Sequence, residues 1–390
     1  MSEGIPAAIS VTTLETCHHC GDRIPVGTYC GHCGANLADT VGGRSRIHSF
    51  AAAPHEQVAR PAIISTLFPH LPRRHAQTFQ LVLEAGVLLV VLLAALRLIA
   101  PATVAAAVVL PVLYLLYLYE VEVYQHEPVV VVLLTVVAGA ALGVAFTLVA
   151  GLYNTASLSG TQQGPWVSAV LLPVIAQVLM VATPLLLLSH AHFDETLDGL
   201  TFGVATALGF TMASVVAGNW HVLTAPLVGG VSTEDVLRVV REGVLVAIIN
   251  ASTTGLITAA LWLRVRRRSR RRFVSLWRGL QASVAIAFAI QVVLGLITYY
   301  VPSLPVVFVV YVVAAALLLM WLRVVLHFAL LEEGAELEIG ETTACAECHR
   351  MVPAMLFCPV CGVARSASAR HARPGGGVDP ARTAAEAPAG

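Results

Sequence analysis

Long apolar runs separated by short polar stretches fill the middle of this chain. Eight of them reach the roughly 20 residues that an α-helix needs to cross the hydrocarbon core of a bilayer. They fall at about 78–99, 102–119, 129–153, 166–188, 198–217, 237–263, 274–300 and 305–330. The second is the most interrupted, with Pro101 before it and Pro111 inside it. The pattern predicts an all-α polytopic membrane protein with about eight transmembrane helices. An even number of crossings puts both chain ends on one side.

The ends follow a different rule. Residues 17–34 read CHHCGDRIPVGTYCGHCG and residues 345–362 read CAECHRMVPAMLFCPVCG. Both are Cys-x2-Cys, nine residues, Cys-x2-Cys-Gly. The match extends from Ile24-Pro25-Val26 to Val352-Pro353-Ala354 and from Tyr29 to Phe357. These are two copies of one small module, a zinc ribbon. Each pair of cysteines aims two thiolates at one ion, and two pairs complete a tetrahedral four-sulfur site. Cys17, Cys20, Cys30 and Cys33 form the first set; Cys345, Cys348, Cys358 and Cys361 form the second. Disulfides are the alternative and need an oxidising compartment. Two structural Zn²⁺ ions are the expected cofactors, with no position left for a catalytic water. His18, His19 and His32 read as surface residues beside the ligands. The Gly after each second pair, Gly34 and Gly362, suits the tight turn of a knuckle.

The expected organisation is a disordered N-terminus (1–16), a ribbon (17–36), a linker (37–75), a membrane domain (76–332), an acidic linker (333–344), a second ribbon (345–363) and a disordered tail (364–390). Residues near 67–79 read as an interfacial turn into the first span. The opening residues, MSEGIPAAIS, are not followed by an apolar core, so no cleavable signal peptide is expected.

Composition agrees with the membrane reading. The chain is 57% hydrophobic and 12% charged, with a mean hydropathy of +0.80; soluble domains carry about 25% charged residues. Net charge is zero, so nucleic acid is not an expected partner. Every basic residue is arginine. Seven of the nine residues from Arg264 to Arg272 are arginine, and this loop falls on the same side as Arg73, Arg74 and Arg323. The positive-inside rule makes that side cytoplasmic. A cell-membrane location with both termini cytoplasmic follows, with the arginine run touching anionic lipid.

Two further clusters share that face. One holds Glu120, Glu122, His126 and Glu127; the other, SHAHFDETLD, holds His190, His192, Asp194, Glu195 and Asp198. Such residues suit a metal or an acid–base pair, or are solvated loop groups. Asp198, at the mouth of a span and followed by Gly199, reads equally as either. Within the spans the polar groups are Glu84, Gln177, Asn250, Gln281 and Gln291. The amides are candidates for interhelical hydrogen bonds, and Gly199, Gly203, Gly209 and Gly255 for close helix packing.

Between about Tyr117 and Ala260 the chain resembles the PrsW family of intramembrane proteases, relatives of the CAAX-protease-like membrane proteins. Three stretches carry the resemblance: YEVEVYQHEPVVVVLLTVVAGAALG, HFDETLDGLTFGVATALGF and NASTTGLITAAL. It implies about eight helices around a membrane-embedded protease site. The family's site rests on a Glu-Glu-x-x-Lys motif, a Glu-Asn pair after the Gly-Phe, and a histidine in a later span. Here the corresponding positions read Ala176-Gln177, Ser214 and Asn250, and the chain has no lysine. None of these side chains supplies a base near neutral pH.

The sequence therefore points first to a non-enzymatic relative, a pseudoprotease. It would act as a membrane adaptor or regulator, with a transmembrane segment in the old cleft and a cytosolic protein recruited by the ribbons. The second reading is an active intramembrane protease, with a metal or acid–base site, whose chemistry has moved to the rim residues Glu120, Glu127, His190, His192, Asp194 and Asp198. The third is a transporter or channel.

Overall fold

The computed structural model describes residues 14–38, 77–121, 129–157, 166–190, 193, 196–223, 233–266, 274–334, 339–345 and 347–363. Expectations for residues 1–13, 39–76 and 364–390 lie outside this range. The chain forms two compact units. One consists of helices; the other holds both ribbons.

The helical unit contains α1 (Gln77–Ala95), α2 (Ile99–Val121), α3 (Val129–Ser157), α4 (Leu172–Leu187), α5 (Thr196–Leu223), α6 (Thr233–Val240), α7 (Val246–Arg266), α8 (Val274–Tyr300) and α9 (Leu304–Gly334). One π-helical turn, Val167–Leu171, leads into α4, and another, Arg241–Leu245, joins α6 to α7. Eight helical segments among the described residues are long and apolar enough to cross a membrane, the sixth being the continuous rod Thr233–Trp262. This is the polytopic all-α class that the hydrophobic pattern predicts. The second span begins at Ile99, before Pro101, and runs through Pro111. A proline in the first helical turn removes an N–H that has no intrahelical acceptor, so Pro101 fits inside the helix start. Arg97, in the left-handed region at φ 65°, makes the turn between α1 and α2.

Helices α5 and α7 form the centre. Of their spans, 72% is inside the bundle, against 11% for α1. Glycine brings their backbones close. A Cβ on Gly139 of α3 would collide with the Thr206 carbonyl of α5, one on Gly143 with the Phe210 carbonyl, and one on Gly209 of α5 with the Val136 carbonyl of α3. On its other side α5 meets α7: Gly203 faces Thr258, and a Cβ on Gly199 would lie 2.7 Å from the Trp262 ring. In lipid the tails are as apolar as leucine, so close packing rather than water exclusion drives helices together. The exposed faces of α1, α3 and α9 carry Leu88, Leu148, Val149, Leu152 and Leu317, as a surface solvated by lipid requires.

Each ribbon is a two-stranded antiparallel sheet with its knuckles. In the first, β1 (Leu14–Thr16) pairs with β2 (Arg23–Pro25), Glu15 opposite Ile24. In the second, β3 (Thr342–Ala344) pairs with β4 (Met351–Pro353), Thr343 opposite Val352. The registers correspond residue for residue, so the repeat seen in the cysteines is a repeat of the backbone. The strands begin three residues before the first cysteine of each set, within the stretches read as a disordered N-terminus and an acidic linker. Three residues carry too little periodicity to read as a strand; only pairing reveals them.

Candidate functional site

The two thiol clusters are assembled by local chain geometry. All eight cysteines are free. Within the first cluster Cys17 and Cys33 sulfurs lie 3.9 Å apart and those of Cys20 and Cys30 3.7 Å; in the second both pairs, Cys345–Cys361 and Cys348–Cys358, are at 3.8 Å. A disulfide brings sulfurs to about 2 Å. A tetrahedral ion with metal–sulfur bonds of about 2.3 Å separates its ligands by about 3.8 Å. Each set of four lies within 4.8 Å, close enough for every member to ligate one ion. The knuckles add backbone donors: His19 N–H to Cys17 Sγ at 3.4 Å and Cys33 N–H to Cys30 Sγ at 3.3 Å. Gly34 and Gly362 close the second knuckles at φ 71° and 74°, where only glycine is unstrained.

Thiols this close cannot all ionise unaided. Hydrogen bonds from Cys20, then Cys30 and Cys33, hold Cys17 far below the usual thiol range, while Cys17 in turn pushes Cys30 far above it. In the second cluster Cys358 lowers Cys345, and its own pKa is pushed up to about 11 by Cys345. A cation at the centre would stabilise all four thiolates together. One reading of the neighbours changes: His19 is buried rather than at the surface, and His32 pairs with Asp22 at 3.0 Å.

The helical unit contains an open groove of about 550 Å³. Its lining includes Ala176, Ser214 and Asn250, three of the positions that the PrsW resemblance assigns to catalysis. They come from α4, α5 and α7. Gln177, the fourth, is fully buried beside the groove and organises a network. Its Nε2 donates to Thr254 Oγ1 at 3.0 Å, and its Oε1 accepts from Thr253 Oγ1 at 2.9 Å and Gln291 Nε2 at 3.1 Å. Gln291 Nε2 also donates to Asn250 Oδ1 at 2.9 Å, and Asn250 Nδ2 to Thr211 Oγ1 at 2.9 Å. Four helices are thus cross-linked by neutral amides and hydroxyls. Ser214 donates to the Gly143 carbonyl at 3.2 Å.

Both π-helical turns border this groove, through Ser168 and Glu242. Such turns frequently mark functional sites. Ser168 Oγ is buried without a hydrogen-bond partner among the described residues. Glu242 is the one carboxylate in the described lining, and Arg241 Nη2 holds it at 2.8 Å. The described lining contains no His and no Cys.

Asp198 stands apart from the groove. It is buried in the first turn of α5, where the helix dipole favours a carboxylate. Phe210, the first groove residue on α5, follows about 12 residues later, roughly 18 Å of helix rise. The start of α5 is anchored by aromatics: Trp262 Nε1 donates to the Phe193 carbonyl at 3.2 Å, and Phe193 packs edge-on to Phe202 at 5.0 Å. Glu127, His192 and Asp194 lie outside the described residues, as does the side chain of Glu120. Glu84 faces outward on α1.

Glu242, Thr211, Thr253, Thr254 and Ser168 join the site without having been singled out as site residues in the sequence. The run of hydroxyls in NASTTG was the available signal, since an apolar span has little other use for them. Replacing Gln177 by leucine is expected to lower the bundle's stability by about 2 kcal/mol, three hydrogen bonds at roughly 0.6 kcal/mol each. Thermal unfolding in detergent measures this; an unchanged midpoint would show the network to be energetically idle.

No family model matches the chain, and neither a curated protein nor a solved structure matches it.

Proposed function

We propose that this chain is a PrsW-like membrane protein that has given up catalysis and uses its intramembrane groove to hold a guest transmembrane segment, with zinc in both ribbons. The observation that carries this reading is the groove's chemistry. Ala176, Ser214 and Asn250 meet there, and the polar groups around them are hydrogen-bonding amides and hydroxyls rather than a base or metal ligands. A general base needs a free lone pair and a nucleophile within hydrogen-bond reach. Glu242 is paired through Oε1 with Arg241 Nη2, and no His, Cys or second carboxylate accompanies it in the described lining.

The occupant follows from the same groups. Amides and hydroxyls beside a span reward a guest that offers a hydrogen bond, which lipid tails cannot. The groove's residues run along α4 only from Leu172 to Met180 and along α5 only from Phe210 to Asn219. Toward Gly203 and Gly255 the helices close against each other. Among the described residues this is a cleft in one half of the bundle, which favours a binding groove over a transport passage.

Both ribbons belong to one compact unit, and a folded unit cannot straddle a bilayer. This supports placing both termini on one face of the membrane; the positive-inside rule, applied to the arginine run in the sequence, supports a cytoplasmic one. A reducing compartment suits zinc rather than disulfides. The ribbons then offer a cytosolic partner its docking surface.

The test uses the purified protein in bilayers with two labelled model peptides, a polyleucine transmembrane helix and the same helix carrying one central Asn. The Asn peptide is expected to associate about threefold more tightly, one intramembrane hydrogen bond of roughly 0.6 kcal/mol, and Asn250→Leu is expected to abolish the difference. Equal binding of both peptides would overturn the guest-binding reading. Cleavage of either would overturn the loss of catalysis.

A further inference from the structure

The two ribbons are packed against each other, and their contacts are reciprocal. Aligning Cys17 with Cys345 and Cys33 with Cys361 places Gly27 on Met355, Tyr29 on Phe357 and Gly31 on Pro359. Phe357 N–H donates to the Gly31 carbonyl at 2.8 Å; its mate, Tyr29 N–H, donates to the Pro359 carbonyl at 3.0 Å. A Cβ on Gly27 would lie 2.7 Å from the Pro359 carbonyl oxygen; in the mated contact, a Cβ on Gly31 would collide with Met355 Sδ. Residue i of one ribbon touches j of the other, and j's equivalent touches i's. That is the signature of a two-fold, self-complementary interface, here made within a single chain.

The interface runs through the metal loops. Gly31 lies between Cys30 and Cys33, and Pro359 between Cys358 and Cys361. The donors Tyr29 and Phe357 each precede the first cysteine of the same knuckle, and both side chains are buried. The turn that carries the thiols is the same turn that presents its carbonyl to the partner ribbon. The partner's hydrogen bond in turn holds that knuckle in its ligating shape. Each ribbon alone is also well under the roughly 40 residues below which a domain needs outside support.

We propose that the two ribbons are one two-metal clasp in which each site holds its ion tightly only while the other is filled. The clasp joins the two ends of the chain, and stripping either site releases both. This rests on reading the thiol clusters as zinc sites.

The experiment titrates full-length protein in detergent with a metal-binding dye and counts the zinc ions retained per chain. Two variants are compared with the unaltered chain. Cys345→Ser with Cys348→Ser disables the second site; the remaining ion in the first is expected to leave at about tenfold lower dye concentration, a coupling of ordinary size. Gly31→Ala keeps every cysteine and places a methyl against Met355; both ions are expected to leave early together. Retention of the first ion at the original dye concentration in the double serine variant would overturn the coupling. So would selective loss of one ion in Gly31→Ala. An unaltered chain that binds no zinc would instead overturn the zinc reading on which the coupling rests.

Discussion

Replacing Gly209 by valine is expected to pry α3 from α5 and lower the thermal midpoint of the bundle, while Gly151→Val leaves it unchanged. Both substitutions put the same side chain on a glycine in a long apolar helix. They differ in what the new atoms meet. At Gly209 the Cβ falls on the Val136 carbonyl oxygen, and no side-chain rotation relieves a clash with backbone. At Gly151, on α3, the Cβ meets nothing within 4 Å. Gly139 and Gly143 make matching contacts from the other helix, so separating the pair at Gly209 loosens the whole seam. Overpacking of a tight core costs about 1–3 kcal/mol, and here the cost falls on the helix at the centre of the bundle. Equal tolerance at both positions would mean that the seam does not hold the bundle together.

The second large effect is metal removal. A strong chelator is expected to unfold both ribbons and leave the helices intact. The ribbons consist of three-residue strands, two knuckles and a core scarcely larger than Ile24, Tyr29, Val352 and Phe357. Zinc binding to four thiolates supplies about 10–16 kcal/mol in modules of this size, more than such a core provides. The bundle depends instead on its glycine seams and on the Gln177–Gln291–Asn250 network, and none of these contains a metal ligand. Limited proteolysis should therefore open new cleavage sites within 14–38 and 339–363, while far-UV circular dichroism keeps its helical signal. Ribbons that stay protease-resistant after complete metal removal would contradict this account.

Much of this was legible without tertiary structure. Helix α9 is readable because the 19 residues from Leu304 to Leu322 carry no charge, and such a run has one stable state in lipid. The ribbons are readable because Cys-x2-Cys places two sulfurs on one turn whatever surrounds it. Gly34 and Gly362 were legible for the same reason, since a positive φ is a property of a single residue. Asn250 and Gln291 could be recognised as hydrogen-bonding groups.

What the chain could not disclose by itself is which faces meet. Helices α2, α5 and α7 carry no one-sided pattern of apolar and polar residues, so no periodicity marks the inward side, and lipid makes no distinction that water would have made. Only the assembled bundle brings Gln177 to Thr253 and Gln291, puts Glu242 and Asn250 in the lining of one groove, and leaves Asp198 several turns away at the start of α5. The same holds for the ribbons. Their repeat is written in the sequence, but the reciprocal hydrogen bonds of Gly31 with Phe357 and of Pro359 with Tyr29 join residues from opposite ends of the chain. Local chemistry dictated the spans and the thiol sets; long-range packing, which depends on shape at every contact, decided the groove and the clasp.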